Sequence, residues 1–271
     1  MYKKYLLATA IAALSFNANA GLFDSNDFKC GREDAVKAFS DFIKSDASGL
    51  LQSNFLTNGK AFYSKPLDVY QSKLNALEVN VANVSTLSTR SETLYCGATV
   101  SVKLPQEVID VVGDIPSKLS EIKGYSGKLV NGSVVWSNAH YSIKLADNKK
   151  DILISDLDGI NASSSMYNAV VMSADKDKII DSNSQGKLSS VKYNYEDSDR
   201  ELNRVWRDLP DSSRDALKKS QVAWVGEKAI KCGKLSDAKL DTVSVQQKIN
   251  TYQCQKKMTD ERINYLVGNS N

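Results

Sequence analysis

Gln221-Val222-Ala223-Trp224, followed by Cys232, Cys254, Thr259, Arg262 and Leu266, is the densest signal in the chain. It lies within residues 198–267, which read as a compact helical module. Leu202, Val205, Trp206 and Leu209 recur at helical spacing and stop at Pro210. Asp211 or Ser212 suits the cap of a second helix. Leu217, Gln221 or Val222, Trp224 and Ile230 carry it to Cys232, and Gly233 ends it. Residues 243–257 read as a third helix bearing Cys254. Thr259 caps a fourth, with Asp260 and Glu261 in the first turn, where acids suit the helix dipole.

Upstream the pattern is different. Residues 24–44 carry Ala35, Val36, Phe39, Phe42 and Ile43 at helical spacing, and residues 48–64 are turn-rich. Pro66 opens a second helix whose apolar side is Leu67, Tyr70, Leu74 and Leu77. The period then changes to two. Residues 79–87 and 94–104 read as a hairpin, with Cys96, Ala98, Val100, Val102 and Leu104 on one face. Residues 106–122 form a short helix or two turns broken by Gly113 and Pro116. Residues 134–145 and 152–157 make a second hairpin. Its inward face is Val135, Ala139, Tyr141, Ile143 and Leu145, with Trp136 and His140 opposite. Residues 166–180 are weakly helical, and the serine-rich run 181–197 reads as a linker.

The fold class is therefore α+β: N-terminal helices packed on an antiparallel sheet of about four strands, followed by a small disulfide-linked all-α domain. The divisions are a signal peptide at 1–20, an α+β domain at 21–180, the linker at 181–197 and the helical domain at 198–271. The signal assignment rests on Lys3 and Lys4, the short apolar run 5–16 and the Ala18-Asn19-Ala20 cleavage pattern. Cleavage after Ala20 implies a periplasmic or secreted protein. No later apolar run is long enough for a membrane span.

Four cysteines in an exported chain point to disulfides. Of three pairings, the one that closes within each proposed domain is Cys30–Cys96 and Cys232–Cys254. On loop entropy these contribute about 4 and about 3 kcal/mol. A metal site is the competing use of cysteines. The only histidine, His140, is far from any of them in sequence, so no metal is expected.

The whole chain carries a formal charge of +3, and +1 without the two signal lysines, which gives no reason to expect nucleic-acid binding. Residues 21–197 hold 19 basic and 22 acidic side chains; residues 198–271 hold 14 and 10. The helical domain is thus the basic part.

The run Leu202-Asn203, Leu217, Gln221-x-x-Trp224, Cys232, Cys254, Thr259-x-x-Arg262 and Leu266 resembles the LprI-type lysozyme inhibitor domain family of exported bacterial proteins. The resemblance implies a small, helical, cysteine-bridged domain, and lysozyme or a related hydrolase as a protein partner. Lys228-Ala229 departs from the Arg-Asp that family members often carry between the tryptophan and the first cysteine.

Gln221, Trp224 and Arg262 form one candidate partner-binding set. The competing reading buries Trp224 and has Gln221 satisfy the backbone or Arg262. Tyr125, in the loop Gly124-Tyr125-Ser126-Gly127-Lys128, is a second candidate as an aromatic anchor, against a plain surface loop. His140 lacks a motif that would orient it as a base. Asp156-x-Asp158-Gly159-x-Asn161 lacks the remaining ligands of a calcium loop. With no catalytic motif and no cofactor motif, the chain reads as a non-enzyme: an exported inhibitor of a cell-wall hydrolase acting by steric blockade. An immunity-type protein against a secreted toxin, or a structural envelope module without inhibitory activity, are the alternatives.

Overall fold

A computed structural model describes residues 28–268. The expected signal peptide and its cleavage point after Ala20 lie outside the described residues.

The first helix, α1 (Glu33–Phe62), is longer than expected. Ala35, Phe39, Ile43, Ala47 and Leu51 recur every four residues and are all fully buried, so the apolar stripe runs straight through the segment expected to be turns. Helical geometry breaks only at Gly59, with φ 53°. Then come α2 (Leu67–Ala76), β1 (Val79–Arg90), β2 (Thr93–Lys103), α3 (Gln106–Asp114) and α4 (Leu119–Lys123), with a 3-10 turn at Pro116–Lys118. β3 (Lys128–Val130), β4 (Ser133–Leu145), β5 (Ile152–Asp158) and α5 (Ala162–Ala174) complete this part.

The sheet has five antiparallel strands: β1, β2, β4 and β3 in that order, with β5 also paired to β4. β3 was not foreseen, because three residues are too short to show a period. Helices α1, α2 and α5 pack together over the buried face of the sheet. Phe39 of α1 stacks on Tyr141 of β4, with centroids 3.7 Å apart. Burial pushes the Tyr141 phenol up to about 12. The Cys30–Cys96 disulfide ties the start of α1 to β2, as expected.

One face assignment was wrong, and a β-bulge explains it. Ala139 is paired with Ala98 and Trp136 with Val100, so Ser137 and Asn138 together oppose Thr99. The extra residue shifts the alternation by one. Val134 and Trp136 point inward before the bulge, and Ala139, Tyr141 and Ile143 after it. Trp136 is 1% exposed, whereas His140 faces out.

The chain then enters α6 (Lys176–Asp208), a single helix of 33 residues. Residues 181–197, expected as a linker, are helical throughout. Leu188, Val191, Tyr195, Ser198, Leu202, Val205 and Leu209 follow one another at alternating spacings of three and four. This is the heptad seam of a coiled-coil pair. It packs on α8 (Val245–Gly268), with Tyr195 beside Tyr252 and Leu202, Val205 and Leu209 clustered with Leu266. Sequence numbers rise together along that contact, so α6 and α8 run parallel. Between them in sequence, α7 (Asp211–Cys232) returns antiparallel, making an up-down-up bundle closed by Cys232–Cys254. The two helices expected at 243–257 and from Thr259 onward are one. Ser244 and Gln247 form a reciprocal capping box at its start, and Thr259 is buried inside it.

Gly186 lies on the exposed side of α6 with open space around its Cα. Gly186→Ala is therefore expected to stabilise the protein by about 0.5–1 kcal/mol in urea unfolding. Gly186→Pro is expected to destabilise it by about 3 kcal/mol. A flexible tether at this point would leave stability indifferent to both.

Candidate partner-binding site

The inward face of α7 is built from Leu217, Gln221, Trp224, Lys228 and Cys232, spaced by three or four. Ile230, expected inward, is 86% exposed, and Val222 also faces out. Gln221 therefore takes the inward place that its neighbour was offered for.

Gln221, Trp224 and Arg262 come together. Arg262 Nε donates to Gln221 Oε1 at 2.7 Å, and Arg262 Nη2 donates to Ser220 Oγ at 3.0 Å. The guanidinium carbon lies 4.6 Å from the Tyr265 ring centre and 5.8 Å from that of Trp224. Trp224 is half-buried against the cluster of Leu202, Val205, Leu209 and Leu266. Burial pulls the Arg262 pKa down, and Tyr265 acts against that shift. The indole is thus both a packing element and the wall of a cationic cluster. Tyr125 belongs to the α+β domain, in the loop after α4, and is not part of this cluster.

Below the cluster lies a residue whose role the sequence did not disclose. Lys228 is 7% exposed, one helical turn after Trp224. Its ammonium donates to Thr259 Oγ1 at 3.2 Å and lies 4.0 Å from Asp199 of α6. It also sits 4.8 Å from the Trp224 ring centre and 5.4 Å from that of Tyr195. Thr259, expected as a helix cap, instead donates its hydroxyl hydrogen bond to the Gln255 carbonyl, which leaves a lone pair to accept from Lys228. One buried cation therefore joins α6, α7 and α8. Burial lowers the Lys228 pKa, and Asp199 partly offsets the shift. Its place at the fourth residue after Trp224 was the available signal.

Gln255 Nε2 donates to the Gly233 carbonyl at 2.7 Å, closing the end of α7 onto α8 beside the disulfide. Among the described residues, no group of three His, Cys, Asp or Glu is placed to hold a metal ion. Among them, no helix is long and apolar enough to cross a membrane.

A parallel helix pair with an antiparallel third, one disulfide and a cation-centred aromatic cluster defines a small bridged helical module. Residues 181–266 match the family model described as Lysozyme inhibitor LprI. The match takes in about a third of the chain, begins inside α6, and leaves the sheet outside it. No curated protein matches the chain. No solved structure matches it.

The Lys228 cage makes a signed pH prediction. Between the lowered folded pKa and the ordinary 10.5, the unfolded chain binds more protons than the folded one. Stability should therefore rise with pH in that window, up to pH 10, where tyrosines held protonated by burial begin to act in the opposite sense. Lys228→Met, which keeps length and removes the charge, is expected to lose this slope and to be neutral or stabilising near pH 7. Lys228→Ala should destabilise by about 2–4 kcal/mol through the cavity it leaves. Urea unfolding at several pH values reads all three.

Proposed function

We propose that the protein is an exported inhibitor of a cell-wall-cleaving hydrolase, lysozyme or a close functional relative, which it blocks sterically without chemistry of its own. The observation that carries this reading is the LprI family match over residues 181–266, a family described as lysozyme inhibitors. The signal-like N-terminus and the two disulfides agree with an oxidising, extracytoplasmic setting. The one histidine, His140, is exposed on the sheet, which suits a binding protein better than an enzyme.

In this reading the helical module is a contact surface, with Gln221, Trp224 and Arg262 as its ordered polar and aromatic centre. Their hydrogen bonds and ring contacts hold the side chains in place before a partner arrives, which reduces the ordering cost of association. α6 begins inside the α+β domain and ends in the module, so a continuous helix joins the two parts.

The test is inhibition of wall lysis. The mature chain, added to a panel of lysozymes acting on bacterial cell walls, is expected to inhibit at least one of them with a saturating one-to-one titration. Arg262→Ala, which removes the bonds to Gln221 and Ser220, should weaken that inhibition. No inhibition of any enzyme at stoichiometric excess contradicts the proposal.

A further inference from the structure

Tyr125 is 79% exposed, yet hydrogen bonds and close glycine contacts hold the turn that carries it. Gly124 has φ 61°, and a Cβ there would collide with the side chain of Asn161. A Cβ on Gly127 would collide with the Lys123 carbonyl and crowd the Trp136 indole. Gly124 and Gly127 donate their amides to Ser120 O and Lys123 O, at 3.0 and 3.1 Å. Ser126 Oγ donates to the Gly159 carbonyl at 2.9 Å. Asn161 is fixed in turn, accepting at Oδ1 from Trp136 Nε1 at 3.1 Å.

The support traces back to the bulge in β4. The bulge changes the side-chain phase along β4, placing Trp136 inward with its indole N–H on Asn161, and Asn161 lies beneath Gly124. A buried tryptophan and a strand irregularity thus present one exposed aromatic ring on a preorganised turn. Such a ring is the kind of residue that dominates a binding interface, and preorganisation removes the loop-ordering cost.

The ring stands in solvent, so its complement is a recess on another protein. Lys123 and Lys128 bracket the turn, and neither has an ion-pair partner among the described residues. Of the acids beside the turn, Glu121 pairs with Lys118 at 2.7 Å, and the Asp158 carboxylate accepts from the Gly159 amide at 2.7 Å. A glycoside hydrolase cleft offers the matching chemistry: sugar subsites that accept a ring, and two catalytic carboxylates flanking the scissile bond. The cationic bracket suits such a cleft even where the enzyme as a whole is basic.

We propose that the 124–127 turn is a preformed plug for the active-site cleft of a glycoside hydrolase, with Tyr125 occupying a sugar subsite and Lys123 and Lys128 facing the cleft carboxylates. This rests on the reading of the protein as a hydrolase inhibitor, and assigns the blocking element to the α+β domain, outside the family match.

The experiment uses the full mature chain and a lysozyme that the wild type inhibits. Tyr125→Ala is expected to raise the inhibition constant about thirtyfold or more, as truncation of an aromatic anchor does. Its melting temperature should stay unchanged because the ring is exposed. Tyr125→Phe should keep the wild-type constant, and Lys123→Glu with Lys128→Glu should raise it. Tri-N-acetylchitotriose, which fills the cleft, should compete with the protein. Wild-type inhibition by Tyr125→Ala, or unchanged binding to the chitotriose-filled enzyme, overturns the plug and leaves the inhibitor reading intact. A wild type that inhibits no lysozyme overturns both.

Discussion

The backbone hydrogen-bond ladder of α6 is the constraint on which the rest of the molecule depends. Its first turns belong to the α+β domain. Lys176 pairs with Asp110 of α3 at 2.5 Å, Lys178 Nζ donates to the Phe62 carbonyl at 3.2 Å, and Ile179 and Ile180 pack on the main core. Its last four turns are the central rod of the helical module. The ladder must therefore cross Ser182, Asn183, Ser184, Gly186, Ser189 and Ser190, which are poor helix formers. Together they cost roughly 3–4 kcal/mol relative to alanine. Each fully buried seam residue contributes about 1.5–3 kcal/mol. Tyr195, Leu202, Val205 and Leu209 are buried, and Leu188 and Val191 partly so. Leu188 and Val191, in and beside the polar run, pack on the Tyr195, Ala238 and Tyr252 cluster, and the helix is unbroken there.

The same comparison separates what could be read in the sequence from what could not. Alternation over Cys96 to Leu104 and the stop at Gly233 are local signals, and each appears in the structure as read. The cysteine pairing follows from closing each bridge within one domain, and it too appears as read. Two departures, at 48–64 and 181–197, share a cause: an apolar period prevails over a polar composition. Residues 48–64 and 181–197 hold glycine, serine and asparagine, yet each carries an apolar repeat that continues from its neighbour. Trp136 failed for another reason. A bulge is set by pairing with a strand distant in sequence, and no residue type in 133–145 announces it. Lys228 and Thr259 were missed as a pair because their contact spans 31 residues and two helices. Of the candidate site, Gln221, Trp224 and Arg262 were legible as a set, whereas the bonds that order them were not.

Two surfaces of different character result. One is the cation-centred cluster on the bridged helices, within the LprI match. The other is the glycine-held Tyr125 turn on the sheet domain, outside that match. A tether would let them act independently. A continuous helix fixes the separation between its own two ends, so a partner that touches both meets a fixed spacing.

The most direct measurement is a distance distribution along α6. Nitroxide labels placed through unnatural amino acids at Asp181 and Arg207, both exposed, leave the four cysteines paired. An unbroken helix predicts a narrow peak at about 39 Å. A broad distribution centred at about 30 Å, the value for a flexible chain of that length, would contradict the account.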